Sequence, residues 1–205
     1  KQHREHGLPL TVIRPAPIYG PGSNYGHGGI ILAVSLGFVP AIPSDAANYI
    51  TTSIHAVDIA RFALHIADLE EGLGEDYNVV DNSIISYLEF IKYISLLTGR
   101  NLKELSYLKL KRVQPVMEAA ARAWAWLEKK ASLPRIRVLE VQSTSYISSS
   151  YWLSNRKSLE TGYTYTYPDV REGLKDTVAW FREMGWLTDL GQFFQASAGG
   201  SKKTR

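Results

Sequence analysis

Apolar positions along the chain change period several times, and each change marks a predicted element. Residues 2–7 are polar and end in Gly7, which reads as the last turn of a helix stopped by glycine. Leu10-Thr11-Val12-Ile13, closed by Arg14-Pro15, is a short β-rich run that predicts a buried strand. From Pro15 to Asn24, Pro or Gly stands at nearly every second position, which predicts a loop. Gly28 to Leu36 predicts a short buried helix stopped by Gly37 and Pro40, and Ile50 to Ile54 a strand. A helix capped by Asp58 is expected next, with Val57, Ala60, Leu64 and Ala67 on its apolar face, Ile59, Ala63 and Ile66 beside them, and an end before Gly72. Tyr77 to Val80 predicts a second buried strand, followed by the turn Asp81-Asn82-Ser83. Ser86, with Glu89 three residues on, forms a capping box. The helix behind it should run to Gly99, with Leu88, Ile91 and Ser95 or Leu96 facing inward.

The order strand, loop, helix, strand, helix predicts α/β construction around a parallel sheet, and no internal repeat is visible. Residues 100–137 differ in kind, holding ten Lys or Arg against three Glu. Within them Met117, Ala120, Trp124, Leu127 and Ala131 recur at helical spacing. That stripe predicts a helix packed on the body with a solvated basic face; a lid over an apolar ligand and a basic helix resting on a membrane surface are the sharper alternatives. A Ser/Thr/Tyr-rich stretch, Val141 to Tyr151, follows. Pro168-Asp169-Val170 opens a helix through Val178, Phe181 and Met184 to Gly185, and residues 191–205 read as a mobile tail.

Composition narrows the classes. The chain has 205 residues, 45% hydrophobic and 21% charged, enough for one domain or a little more with a real core. It has no cysteine, which excludes disulfides, zinc ribbons and thiol catalysis. The net charge of +3 equals the contribution of Lys202, Lys203 and Arg205 alone, so it is no sign of nucleic-acid binding. Residues 15–44 carry no charged side chain, yet five prolines interrupt them and the apolar run Ile30 to Val39 is too short to span a bilayer. With neither an initial Met nor a signal sequence, the chain is expected to be a cytoplasmic, soluble piece of a longer protein.

Four segments then carry a resemblance: Gly7-Leu8-Pro9-Leu10-Thr11-Val12-Ile13-Arg14-Pro15 with Ile18-Tyr19-Gly20-Pro21-Gly22; Ile54-His55-Ala56-Val57-Asp58-Ile59-Ala60; Tyr77-Asn78-Val79-Val80-Asp81; and Glu172-Gly173-Leu174 with Trp180-Phe181 and Gly185-Trp186-Leu187. In this order they resemble the C-terminal half of the extended short-chain dehydrogenase/reductases, the NAD(P)-dependent epimerase/dehydratase and 3β-hydroxysteroid dehydrogenase group. The resemblance implies the C-terminal portion of a Rossmann-type doubly wound parallel sheet with a mostly helical substrate-binding lobe. Residues 1–99 would then end the dinucleotide fold interleaved with that lobe, and residues 100–190 would form the rest of it. It also implies NAD or NADP as cofactor in the intact protein, an N-terminal half upstream of residue 1, hydride transfer at a secondary alcohol or ketone, and a possible homodimer. Pro15 and Ile18 fall where the family places apolar contact to the nicotinamide.

No Gly-x-x-Gly-x-x-Gly or Gly-x-Gly-x-x-Gly turn follows a predicted strand, and the family's Tyr-x-x-x-Lys pair is missing; Tyr107 and Lys111 lie too late in the chain to be that pair. No catalytic proton donor is therefore expected within these residues, and the chain alone should be inactive. Pro17, Tyr19 and Thr51 fall on the substrate side. Pro17 stands where sugar-nucleotide enzymes carry an amide, and Thr51 where many carry an arginine for the diphosphate. Arg61 and Arg156 are candidate substitutes. These departures, with Tyr146, Tyr151 and Trp152, favour an apolar sterol- or isoprenoid-like substrate over a sugar nucleotide. The rival readings are a sugar-nucleotide epimerase/dehydratase and a non-catalytic binding or regulatory relative. Nucleic-acid binding by residues 100–137 fits poorly, because Trp124 and Trp126 point to opposite sides of a helix. His55 reads as a structural histidine at a strand end, Arg14 as a strand-end ion-pair partner, and the remaining histidines lack metal-ligand spacing.

Overall fold

The computed structural model describes residues 5–131 and 148–187. Among the described residues there are eight short strands: β1 (Val12–Pro15), β2 (Ile18–Tyr19), β3 (Ala41–Pro43), β4 (Ile50–Thr51), β5 (Ile54–His55), β6 (Asp76–Val79), β7 (Ile85–Ser86) and β8 (Lys103–Leu105). The helices are α1 (Gly26–Ser35), α2 (Ala56–Ala67), α3 (Tyr87–Thr98), α4 (Leu110–Ala131), α5 (Arg156–Glu160) and α6 (Val170–Glu183). β1 pairs with β6, β2 with β5 and β3 with β8, all parallel, while β4 and β7 run antiparallel. The expected parallel α/β construction is thus present. The boundary expected after residue 99 falls between α3 and β8; β8 pairs back onto β3, and α6 packs on α3.

Local chemistry accounts for the best-defined elements. Ser86 accepts from Glu89 N while the Glu89 carboxylate accepts from Ser86 N, completing the capping box. Gly99 then stops α3 at φ 66°, a left-handed conformation that costs a glycine little. Leu88, Ile91 and Ser95 face inward as expected, together with Phe90 and Ile94, whereas Leu96 is exposed. α1 is buried along nearly its whole length and packs against α3; with Leu174, Val178 and Phe181 of α6 they form the larger apolar cluster. A second cluster joins Ile54, Phe62, Ile66, Tyr77 and Val79 to Tyr163 and Tyr165. Its aromatic rings meet edge to face, Phe62 and Tyr163 at 5.3 Å and Tyr163 and Tyr165 at 5.1 Å.

Three expectations are corrected. The first strand is Val12–Pro15 rather than Leu10–Ile13, and Leu10 and Val12 are exposed. Among the described residues it pairs on one edge only, and its burial pattern, exposed at Val12, Arg14 and Pro15 and half-buried at Ile13, shows that the run is not covered on both faces. In α2 the buried stripe is Asp58, Phe62 and Ile66, while Val57, Ala60, Leu64 and Ala67 face outward. The helix period is right and its phase is not, because Asp58 is buried through hydrogen bonds rather than through apolarity. Asp58 does not cap the helix either: His55 is the N-cap, its Nδ1 accepting from Val57 N at 3.3 Å. Arg14 pairs with Asp76 across β1 and β6, as its place at a strand end suggested.

On α4 Leu110 joins the larger apolar cluster and Met117, Ala121 and Trp124 are buried or half-buried; Ala120 and Leu127, expected on the same stripe as Met117 and Trp124, are exposed. Among the described residues no helix is long and apolar enough to cross a membrane. Tyr146 and the tail from residue 191 lie outside the described residues.

Candidate functional site

Parallel strands deliver their carboxyl ends to one edge, which is where open α/β sheets bind ligands. The register Pro15↔Val79 sends Ala16-Pro17 and Val80-Asp81 out of the sheet side by side. Ala16 N donates to Val79 O at 2.9 Å, Ile54 N to Pro17 O at 3.2 Å, and Asp81 N to Ser53 O at 3.0 Å. The loop after β1, the entry to β5 and the turn after β6 are therefore stitched into one edge. Pro15 and Ile18 are exposed there, and Pro17 is half-buried. Two prolines hold the loop with little conformational freedom.

Tyr19 and Thr51 lie beneath that edge, fully enclosed. The Tyr19 hydroxyl donates to Val170 O at 3.3 Å, and its ring meets His55 edge-on at 5.3 Å. The Thr51 hydroxyl lies 3.2 Å from His27 Nε2, whose Nδ1 is 2.8 Å from the Ser53 hydroxyl. His27, which carried no signal in the sequence, is thus clamped between two hydroxyls against Tyr87 and Phe90. Burial lowers its pKa from 6.5 to about 4, so it stays neutral near pH 7. Asp81 is the opposite case. Its Oδ1 accepts from Ser83 N at 2.8 Å, while Oδ2 is buried without a hydrogen bond. Desolvation, only partly offset by Ser83, raises this carboxyl from 3.8 to about 7.

His55 has the acid partner that the sequence did not reveal. Its Nδ1 is an acceptor, so in the neutral ring the proton sits on Nε2, 3.4 Å from Asp176 Oδ2: ion-pair distance, but outside hydrogen-bond geometry. Tyr167 packs on the imidazole with ring centroids 4.1 Å apart. Burial lowers the His55 pKa, and Asp176 and Asp58 oppose that shift. Gly20 and Gly173 let the surrounding backbone close on this ring. A Cβ on Gly173 would lie 2.2 Å from Tyr19 Oη and 3.1 Å from His55 Cδ2. Gly173→Ala should therefore lower stability by about 2–3 kcal/mol in urea unfolding, with Tyr19→Phe in the same chain restoring part of the loss. Equal losses with and without the tyrosine hydroxyl would contradict this packing.

The other candidates sit elsewhere. Tyr107 is exposed ahead of α4, and Lys111 is on that helix. Arg156 pairs with Glu160 at 3.4 Å. Arg61 lines an open cleft of about 370 Å³ with Leu64, His65, Gly162, Tyr163 and Thr164. Tyr151 lies against β4, donating its N–H to Ile50 O at 2.9 Å, and Trp152 is exposed. In α1, the helix start with glycines nearby, the chain closes on Gly28, where a Cβ would lie 1.9 Å from Ser23 Oγ, whereas a Cβ on Gly26 would meet nothing within 4 Å.

Parallel strand pairs flanked by helices, with an apolar loop at their carboxyl ends, place the chain among Rossmann-type α/β folds. No family model matches the chain, and no curated protein matches it. Solved structures do. The protein gox2253 superposes with a TM-score of 0.60 at 24% identity, over 90% of this chain and 52% of its own. Human epimerase family protein SDR39U1 (isoform 2), solved with NADPH, gives 0.58 at 20% identity over 82% of this chain and 48% of its own. UDP-glucose 4-epimerase of Thermotoga maritima, solved with UDP-glucose, gives 0.57 at 22% identity over 88% and 48%. The chain spans about half the length of each of these proteins. It has the fold of epimerases of this kind, in agreement with the four sequence segments.

Proposed function

We propose that this chain is the substrate-side half of an NAD(P)-dependent oxidoreductase or epimerase acting at a secondary alcohol or ketone. The observation that carries the reading is the pair of exposed side chains Pro15 and Ile18 at the joined carboxyl ends of β1 and β6, in a fold spanning about half of its structural neighbours. Pro15 and Ile18 offer a rigid apolar wall to a nicotinamide ring, and Pro17 continues it toward substrate. Tyr19 and Thr51 act from below, holding that wall through Val170 and His27. The nicotinamide would supply the hydride chemistry. No Gly-x-Gly-x-x-Gly or Gly-x-x-Gly-x-x-Gly turn stands in this sequence, so the pyrophosphate contact would come from an upstream half.

An apolar substrate suits this edge, since Thr51 is uncharged and enclosed and Pro17 lacks an amide side chain. The sugar-nucleotide reading draws support from the epimerase solved with UDP-glucose. Calorimetric titration of NADH and NADPH onto this chain, and onto a longer protein including the sequence upstream, tests the proposal. The chain alone should bind at least about a hundredfold more weakly, because phosphate contacts at a helix start are missing. Tight binding by the chain alone would overturn the proposal. Turnover of UDP-glucose, but not of apolar secondary alcohols, by the longer protein would select the sugar-nucleotide reading.

A further inference from the structure

The positive charge of residues 100–137 and an uncovered apolar stripe meet on one helix, α4. From Lys109 to Ala131 the chain carries six Lys or Arg against two Glu, although its overall charge is only +3. α4 is 22 residues long; Leu110 at its start joins the larger apolar cluster, and Met117, Ala121 and Trp124 are buried or half-buried further along. At 100° per residue, Val116, Ala120, Ala123 and Leu127 form a second stripe roughly a third of a turn away. Every one of these side chains is exposed, Val116 by 68% and Leu127 by 41%. Trp126 borders the stripe, 58% exposed, with Lys130 Nζ 4.6 Å from its ring centroid. Arg112 and Lys130 continue the same face at its two ends. Glu118 pairs with Arg122 at 3.5 Å, which takes one acid and one base together and leaves the cationic excess of the helix unchanged.

The occupant of this face must accept apolar side chains at its centre and cations around it. A second copy of the chain would set one cationic helix against another, which opposes association. Single-stranded nucleic acid would need a ladder of exposed rings, and this face presents Trp126 alone. An anionic bilayer meets both demands, since small apolar residues and a Trp enter the acyl boundary while Lys and Arg stay among the headgroup phosphates. We propose that α4 is a peripheral docking surface for anionic lipid membranes, lying in the interface through Val116, Ala123, Trp126 and Leu127. This does not rest on the oxidoreductase reading.

Co-sedimentation of the chain with vesicles of phosphatidylcholine alone, and of phosphatidylcholine mixed with phosphatidylglycerol, tests it. Binding is expected on the mixed vesicles at low salt and should fall steeply at high salt. Val116→Glu with Leu127→Glu should weaken binding at least about tenfold. Leu64→Glu with Leu96→Glu makes the same charge change at two exposed leucines of α2 and α3 and should leave binding intact. Arg112→Glu with Lys130→Glu should match the first loss at low salt, giving a second readout with the apolar stripe untouched; circular dichroism confirms that each variant is folded. No binding to the mixed vesicles, or equal losses at the α4 and control leucines, overturns the proposal. So does a dimer or a nucleic-acid complex broken by the α4 substitutions in a chain that ignores vesicles.

Discussion

Asp58→Ala is expected to cost about 3–5 kcal/mol, one of the two largest effects in this chain. The Asp58 side chain is fully buried, and its carboxylate accepts three hydrogen bonds: from the Tyr163 hydroxyl at 3.1 Å, Thr166 N at 2.6 Å and Tyr167 N at 2.9 Å. Removing it strands two backbone N–H groups and leaves a void under Tyr163. Hydrogen bonds to a charged acceptor are stronger than neutral ones, and donors left unmade keep their full desolvation cost. Asp58→Asn keeps one acceptor oxygen but turns an NH2 group toward a donor, so it should cost about half as much. Residues 163–167 bring Tyr167 onto His55, so loosening the anchor should expose the imidazole and relieve the burial that chiefly lowers its pKa, while loss of the Asp58 charge acts the other way; Asp58→Asn, which removes the charge and keeps more of the anchor, separates the two. Urea unfolding and a histidine NMR titration measure the two effects. A stability loss below about 1 kcal/mol would refute the anchoring role.

Asp58 also shows where sequence reasoning stops. Its position just ahead of an apolar helix looks like a cap, and caps are local. Its real partners are more than a hundred residues away, and no periodicity connects them. The same limit hides Asp176 from His55, and Thr51 and Ser53 from His27. What was legible is local or periodic: the Ser86–Glu89 box, the Gly99 stop, the buried α1 and the strand at Tyr77. Phase proved less legible than period. α2 has alanine and leucine on more than one side, so apolarity alone admits two orientations, and the buried carboxylate selects between them. α4 is ambiguous for the same reason, with one apolar stripe buried or half-buried and another left outside. The candidate wall at Pro15 and Ile18 came from resemblance, and its exposure is consistent with that role. Tyr19 and Thr51 fell on the substrate side by position in the sequence, but position does not say which way a side chain faces.

The pH dependence of stability should show two buried groups pulling in opposite directions. His27 remains neutral in the fold down to about pH 4, whereas the unfolded side chain takes up a proton near 6.5. Between those values the unfolded state holds the extra proton, so His27 makes stability rise with pH. Asp81 keeps its proton in the fold up to about pH 7, whereas the unfolded carboxyl loses it near 3.8. Across that window the folded state holds the extra proton, so Asp81 makes stability fall with pH. Each slope is about 1.4 kcal/mol per pH unit, so the two nearly cancel between pH 4 and 6.5. Single substitutions should unmask them. Asp81→Asn keeps the acceptor for Ser83 N and removes the titration; relative to the parent, its stability should climb by up to about 4 kcal/mol from pH 4 to 7. His27→Gln should show the reverse difference, losing its disadvantage by up to about 3 kcal/mol as pH falls from 6.5 to 4. Contributions from the exposed carboxylates are common to all three chains and drop out of these differences. Urea midpoints at one-unit intervals supply the curves, and two variants that merely parallel the parent would show that neither group titrates where its burial places it.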